Sequence, residues 1–350
     1  MDPTLQQIRE VLSDLLAAER VVEAKTSEGK VTLTVAVDLP TADKPRFAEE
    51  IKARVRTLAG VKGVLVSFAR PAPAPAEARD NPLADVKRIV AVGAGKGGVG
   101  KSTVAVNLAV ALASAGHRAG LLDADVYGPS AGMMTGTQDH KAKGDAQQRV
   151  IPAERHGIKI ISVAFLLPED KSAVVWRGPM VGKMVTQLLV GVAWGELDFL
   201  VVDLPPGTGD AALSLAQTVP LSGAVVVTTP QDVALLDVLK AMEMFHSVKV
   251  PIVGIVENMA GFTCGHCGKV TPIFLEGAGR KAAARFGVPL LGSLPLDPDI
   301  PPGGDSGRPI AIEAPDGPSG RVFAELARKL PQRLDELGAG PSAGFDLAWK

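Results

Sequence analysis

The stretch "RIVAVGAGKGGVGKST" (88–103) decides the fold. Its first seven residues are an apolar run without alternation. A glycine-rich loop follows, and then residues able to open a helix, so the stretch reads as strand, loop and helix. Gly95, followed after four residues by Gly100, Lys101 and Ser102, has the spacing of a P-loop in the context that motif requires. Glycines at 95, 97, 98 and 100, with Val99 between, let backbone N–H groups close on phosphate oxygens. Lys101 supplies a point charge to the β- and γ-phosphates, the Ser102 hydroxyl is placed for Mg²⁺, and Thr103 is expected at the α-phosphate. A glycine-rich turn with no ligand is the competing reading, and the flanking strand and helix count against it. The expected ligand is ATP with Mg²⁺.

Further short Val/Ile-rich runs recur beyond this loop, alternating with amphipathic helices: 119–125, 158–164, 198–204, 223–229, 251–258 and 289–296. Continuous rather than alternating hydrophobicity marks strands buried on both faces. The expected fold is a doubly wound α/β domain around a mainly parallel sheet, over residues 86–337. The last helix carries Pro331 and is expected to be interrupted there. A polar tail, 338–350, follows.

Upstream, "PAPAPAEARDNPLAD" (71–85) is Pro/Ala-rich and reads as a linker. Before it, "VVEAKTSEGKVTLTVAVDL" alternates about a Ser-Glu-Gly turn, "KPRFAEEIKARVRTLAG" has helical spacing, and "VKGVLVSFA" reads as a third strand. Residues 1–70 are therefore expected to form a small α+β domain.

The 350 residues are 46% hydrophobic and carry 37 basic and 38 acidic side chains, so no overall field favours nucleic acid or an anionic membrane. The most apolar stretch, 188–204, contains Glu196 and Asp198, which a bilayer core would penalise. The first residues lack the basic start and apolar run of a secretory signal, and the expected location is cytoplasmic.

Two strand ends carry acids suited to a phosphate site. "LLDADVYGPS" (121–130) places Asp123 and Asp125 two residues apart, on one side if the strand persists. "FLVVDLPPGTGD" (199–210) ends its apolar run in Asp203, a position for water-mediated Mg²⁺ contact, and Gly207 has the spacing for a backbone N–H that senses the γ-phosphate. The plainer alternative is that such aspartates cap the next helix. Lys96 is not needed to cradle phosphates within one chain and could be a solvated charge.

In Lys96 to Ser102 the sequence resembles the deviant Walker A ATPases, which include MinD, ParA and the nitrogenase iron protein. The resemblance implies a nucleotide-sandwich homodimer in which Lys96 reaches the partner's nucleotide. It further implies that Asp125 orients the attacking water and that Asn258, which ends a later strand, reads the base; a turn-forming asparagine is the alternative.

The only cysteines, Cys264 and Cys267 in "FTCGHCGK" (262–269), lie in a polar loop after the 251–258 strand. A thioredoxin-like pair would belong at a helix start, and His266 between them stays unassigned. Two thiolates are half of a soft-ligand set, and the implied homodimer would supply four, suiting either Zn²⁺ or a [4Fe–4S] cluster. Residues 257–283, together with the P-loop, "DADVYGPS" and "LVVDLPPGTGD", resemble the Mrp/ApbC iron–sulfur carrier ATPases over about residues 85–335. That resemblance implies a bridging [4Fe–4S] cluster held for transfer to apo iron–sulfur proteins, with cluster-assembly scaffold proteins as further partners.

The N-terminal domain is similar to the small domain often fused ahead of such ATPases. It departs from that pattern in having no cysteine in 1–70 and is read as a docking module. A MinD/ParA-like positioning ATPase with structural zinc is the rival reading. A membrane-positioning member should end in a basic amphipathic helix, whereas this tail closes on "FDLAWK". Reductive electron transfer as in the nitrogenase iron protein is disfavoured, because its cluster cysteines are widely spaced.

Overall fold

The structure, a computed structural model, describes residues 3–13, 15, 21–27, 29–36, 44–69, 83–166, 178–264, 266–267, 269–274 and 277–338. The chain divides into two compact units, residues 1–79 and 80–350. All of the expected linker but 83–85, and all of the expected tail but Gly338, lie outside the described residues.

In the first unit, α1 (Leu5–Leu12) starts at a capping box: the Thr4 side chain accepts from the Gln7 N–H, and the Gln7 side chain takes the Thr4 N–H. β1 (Val21–Ser27) and β2 (Lys30–Ala36) form an antiparallel hairpin, α2 (Lys44–Val55) crosses, and β3 (Gly63–Ala69) joins parallel to β2. Alternation along β2 turns Val31, Leu33 and Val35 onto one face, where they pack with Ile8, Leu12, Ile51 and Val55. These are the hairpin, helix and third strand expected from the sequence.

The second unit begins with β4 (Ile89–Ala94), α3 (Lys101–Ser114), β5 (Ala119–Asp123), α4 (Ala131–Thr135), a two-residue ladder of β6 (Lys143–Gly144) with β7 (Val150–Ile151), then β8 (Ala153–Arg155) and β9 (Ile158–Ser162). It continues with α5 (Gly178–Gly191), β10 (Phe199–Asp203), α6 (Asp210–Thr218), β11 (Gly223–Thr228), α7 (Asp232–Ser247) and β12 (Ile252–Glu257). After these come β13 (Phe262–Thr263), β14 (Val270–Thr271), α8 (Ala278–Phe286), β15 (Leu290–Ser293), α9 (Ile300–Asp305), α10 (Ile310–Glu313) and α11 (Pro318–Glu336).

Eight strands form the central sheet in the order β15-β12-β11-β4-β10-β5-β9-β8, parallel throughout except where β8 pairs antiparallel with β9. Every residue of β4, β5, β10 and β11 is buried, and since successive residues face opposite sides, both faces are covered. The doubly wound, mainly parallel α/β architecture is as expected. Glu196 and Asp198 interrupt the 188–204 stretch at the surface, while Leu188, Trp194 and Phe199 to Val202 are core. No described helix is long and apolar enough to cross a membrane.

One helix expectation is corrected. Pro331 does not interrupt α11, which runs unbroken from Pro318 to Glu336. Proline removes one backbone donor, but Leu326, Ala327, Leu330 and Leu334 bury the same stripe on both sides of it, so packing holds the helix together.

Since β4 lies between β10 and β11, the chain leaves β4 where the connections turn to opposite sides of the sheet, and there the carboxyl ends of β4, β5, β10 and β12 converge. In open α/β sheets that crevice is where ligands bind.

Candidate functional site

The phosphate loop leaves β4 at Gly95 and enters α3 at Lys101, with Gly98 and Gly100 in the left-handed region at φ 78° and 82°. Two glycines are required by close approach as well. A Cβ on Gly95 would lie 2.0 Å from the Asp237 carbonyl oxygen in α7, and one on Gly100 would lie 2.2 Å from the Asn258 amide nitrogen. Gly97 and Gly98 face open space, as a cradle for a ligand requires.

Lys101 is buried and points across to the neighbouring strand ends. Its Nζ donates to Asp203 Oδ1 at 2.6 Å and to Ser102 Oγ at 3.3 Å, and it sits 3.4 Å from Asp125 Oδ2. The second oxygen of Asp203, fully buried, has no hydrogen-bond partner. Burial pushes the Asp203 carboxyl up from its ordinary range while Lys101 pulls it down. A buried carboxylate with one unpaired oxygen beside Ser102 is a hard-oxygen donor set, and it fits Mg²⁺.

Asp123 and Asp125 do not share one strand face, because β5 ends at Asp123. Asp125 Oδ1 instead accepts the N–H groups of Tyr127 and Gly128 at 3.2 Å, a local turn that stops the strand. The two acids consequently have different jobs. Asp123 Oδ2 accepts from the Ser130 and Ala131 N–H groups at the start of α4 and from the Ser162 hydroxyl, each at 3.0 Å. The capping alternative therefore describes Asp123 and not Asp125 or Asp203. Burial first, and then the charge of Asp203, push the Asp123 carboxyl up to about 7.

The Gly207 N–H, expected to sense phosphate, donates here to the Ala94 carbonyl at 3.0 Å, closing the 204–209 loop onto the end of β4. Lys96 is half-buried and makes no hydrogen bond or ion pair among the described residues. Asn258, buried, donates from Nδ2 to the Val99 carbonyl at 2.9 Å, so it meets the phosphate loop directly. Thr103 is half-buried in the first turn of α3, and its carbonyl accepts from Asn107 Nδ2.

Asn107 is a supporting residue that the motif reading missed. Its Oδ1 also accepts the Ala311 N–H at 3.0 Å, tying α3 to α10. The signal was present: an asparagine four residues after Thr103, inside an otherwise apolar helix segment.

Cys264 and Cys267 stand apart in character. β13 and β14 pair antiparallel, with Thr263 opposite Val270, and the cysteines occupy the hairpin between them. The Cys264 N–H donates to Lys269 O at 3.0 Å. Both thiols are free; Cys267 is exposed and Cys264 half-buried. The backbone N–H of Cys267, and after it that of His266, hydrogen-bond the Cys264 sulfur and lower its pKa, favouring thiolate. No group of three or more His, Cys, Asp or Glu side chains placed to hold a metal occurs among the described residues, which include His266.

Comparison with known proteins shows the family. The ParA family described as NUBPL iron-transfer P-loop NTPases is matched over residues 85–331. The chain belongs to this family. Within it, the chain is 51% identical over 250 residues to the iron-sulfur cluster carrier protein of Aquifex aeolicus, covering 71% of this chain and 69% of that one. It is 42% identical over 329 residues to the iron-sulfur cluster carrier protein of Deinococcus radiodurans, covering 93% and 91%. A nucleotide-binding protein from Archaeoglobus fulgidus, solved with ADP, superposes with a TM-score of 0.61 at 38% identity, over 69% of this chain and 94% of that one. The family match begins at the end of the Pro/Ala segment and ends within α11, so it spans the phosphate loop, the strand-end aspartates and the cysteine hairpin.

Proposed function

We propose that this chain is an ATP-hydrolysing carrier of iron–sulfur clusters. It holds a [4Fe–4S] cluster between its own Cys264 and Cys267 and the same pair of a second copy, and delivers the cluster to apo-proteins. The observation that carries this reading is a hairpin presenting two free, solvent-accessible thiols, one of them biased to thiolate, with no further ligand beside them among the described residues. A four-thiolate site then needs a second chain. Relatives at 51% and 42% identity are named iron-sulfur cluster carrier proteins.

On this reading the residues 95–100 wrap the phosphates with backbone N–H groups and Thr103 meets the α-phosphate. Lys101 leaves Asp203 for the β- and γ-phosphates, which frees a buried carboxylate beside Ser102 for the metal shell. Mg²⁺, when bound, supplies charge that neutralises the phosphate oxygens. Asp125 orients the attacking water, Gly207 exchanges Ala94 for phosphate, Asn258 contacts the base, and Lys96 serves the nucleotide of the second copy. A shared cluster suits a carrier, because parting the two chains halves its ligand set. The work is placed in the cytoplasm, with cluster-assembly scaffold proteins as donors and residues 1–70 as a docking module.

Anaerobic reconstitution with ferrous iron and sulfide, followed by absorption spectroscopy and metal analysis, tests this reading. About four irons and four sulfides per two chains, with the broad visible band of a [4Fe–4S] cluster, is the expected result. Zinc bound instead, with iron refused, would favour a positioning ATPase with a structural metal.

A further inference from the structure

Asn258 does more than end a strand, and its contacts form a short path between the two sites. Its side-chain Nδ2 donates to Val99 O in the phosphate loop, reaching it through the space that Gly100 leaves by having no side chain. Its Oδ1 accepts the N–H of Met259 at 3.0 Å. Met259 adopts a left-handed φ of 59°, which a side chain with a Cβ adopts against its preference. From there the backbone is pinned step by step: Ala260 N–H to Leu294 O at 2.8 Å, Leu296 N–H to Gly261 O at 2.7 Å, then Phe262 and Thr263 in the β13–β14 ladder, and Cys264 N–H to Lys269 O. Only six positions separate Asn258 from Cys264.

We infer that Asn258 and Met259 are the coupling element by which nucleotide in the phosphate loop sets the exposure of Cys264 and Cys267. Asn258 acts as a positioning residue. The inference rests on the carrier reading for its purpose and on the hydrogen bonds for its substance. When phosphate draws the loop's N–H groups inward, the Val99 carbonyl turns with them. The Asn258 amide must then follow or let go, and either changes the restraint on a residue already held in a disfavoured conformation. Because the segment beyond is hydrogen-bonded at nearly every step, a rotation at Met259 carries to the hairpin instead of being absorbed on the way.

The test uses the full chain, reduced and metal-free, and measures iodoacetamide alkylation of Cys264 and Cys267 by mass spectrometry. Rates are taken without nucleotide, with Mg·ADP and with Mg·ATPγS, each at a concentration that saturates the variant in hand. In the wild type, nucleotide should change the rate by about fivefold or more, the lower end of ordinary allosteric couplings. Asn258→Ala removes the loop contact, and Met259→Gly removes the conformational preference while leaving the asparagine. Both should bring the ratio to within about twofold of unity. Should Asn258→Ala fail to fold, Met259→Gly decides alone. A purely structural asparagine would lower stability without changing the ratio, and a folded variant that keeps the wild-type ratio overturns the inference. A wild type that takes up cluster but shows no nucleotide dependence also overturns it and leaves the carrier reading standing. A clear dependence in a chain that refuses cluster does the reverse.

Discussion

The phosphate loop and the cysteine hairpin are opposite solutions to placing reactive groups. Around the loop the buried charges have partners inside the chain: Lys101 meets Asp203 and Asp125, and Asp123 collects N–H and O–H donors from α4 and β9. The hairpin instead offers Cys267 to solvent, and the Cys264 sulfur is bonded from within the hairpin, by the backbone N–H groups of Cys267 and His266 and then by the Cys267 side chain. The buried charges of the first site are balanced, and on the proposed reading phosphate displaces one partner. On the same reading the second is half of a ligand set and takes the rest from another chain. A site that satisfies itself can be stable alone, whereas one left open is suited to giving its cargo away.

Lys101→Ala should break the balanced site most severely. It removes the phosphate charge and strands two buried carboxylates, a loss of about 3–5 kcal/mol in nucleotide-free stability for a broken buried pair. Nucleotide binding should disappear by calorimetry, while iron uptake by protein that remains folded stays near wild type. Loss of iron in folded Lys101→Ala protein would show that the two regions are not separable.

Lys96→Ala should sharpen the contrast, since Lys96 is the one loop cation without a described partner in its own chain. Turnover should fall much more than nucleotide affinity; cationic fingers supplied in trans give rate factors of ~10³–10⁵, an upper guide for a lysine. Equal losses in the two quantities would place it in its own chain's loop.

The smallest effect belongs far from both sites. Arg118, and with it Lys87 at 2.8 Å, holds the Asp198 carboxyl well below the usual carboxylate range. A depressed folded pKa gives stability that is full above the unfolded value of about 3.9 and is lost as pH falls through the lower folded value. Asp198→Asn should cost up to about 1 kcal/mol in urea unfolding at pH 7, flatten the acid limb, and leave both sites untouched.

Much of this was legible because parallel strands announce themselves. The seven apolar runs of the second unit all became strands, since burial on both faces leaves no alternation to misread. The phosphate loop was legible for a different reason, as its glycines are fixed by backbone geometry and close approach. Short antiparallel pieces were not: Ala153–Arg155 and the two-residue strands framing the cysteines are too brief for any period to show. Nor could spacing foresee that Asp125 leaves its strand, that Pro331 is carried through by packing, or that Asn258 meets Val99 from 159 residues away. Those contacts are made by tertiary folding, and a single sequence records them only as residue types awaiting a partner.

The central claim is that each chain contributes half of one metal site, and mixed dimers test it most directly. One wild-type chain is paired with one carrying both Cys264→Ser and Cys267→Ser, the two separated by different affinity tags and reconstituted anaerobically. The serine hydroxyl is a hard, neutral substitute for thiolate. A shared site leaves the mixed dimer with two thiolates and essentially no stable [4Fe–4S] absorption or bound iron. Retention of half the wild-type iron in the purified mixed dimer would contradict the account and place a complete site within each chain.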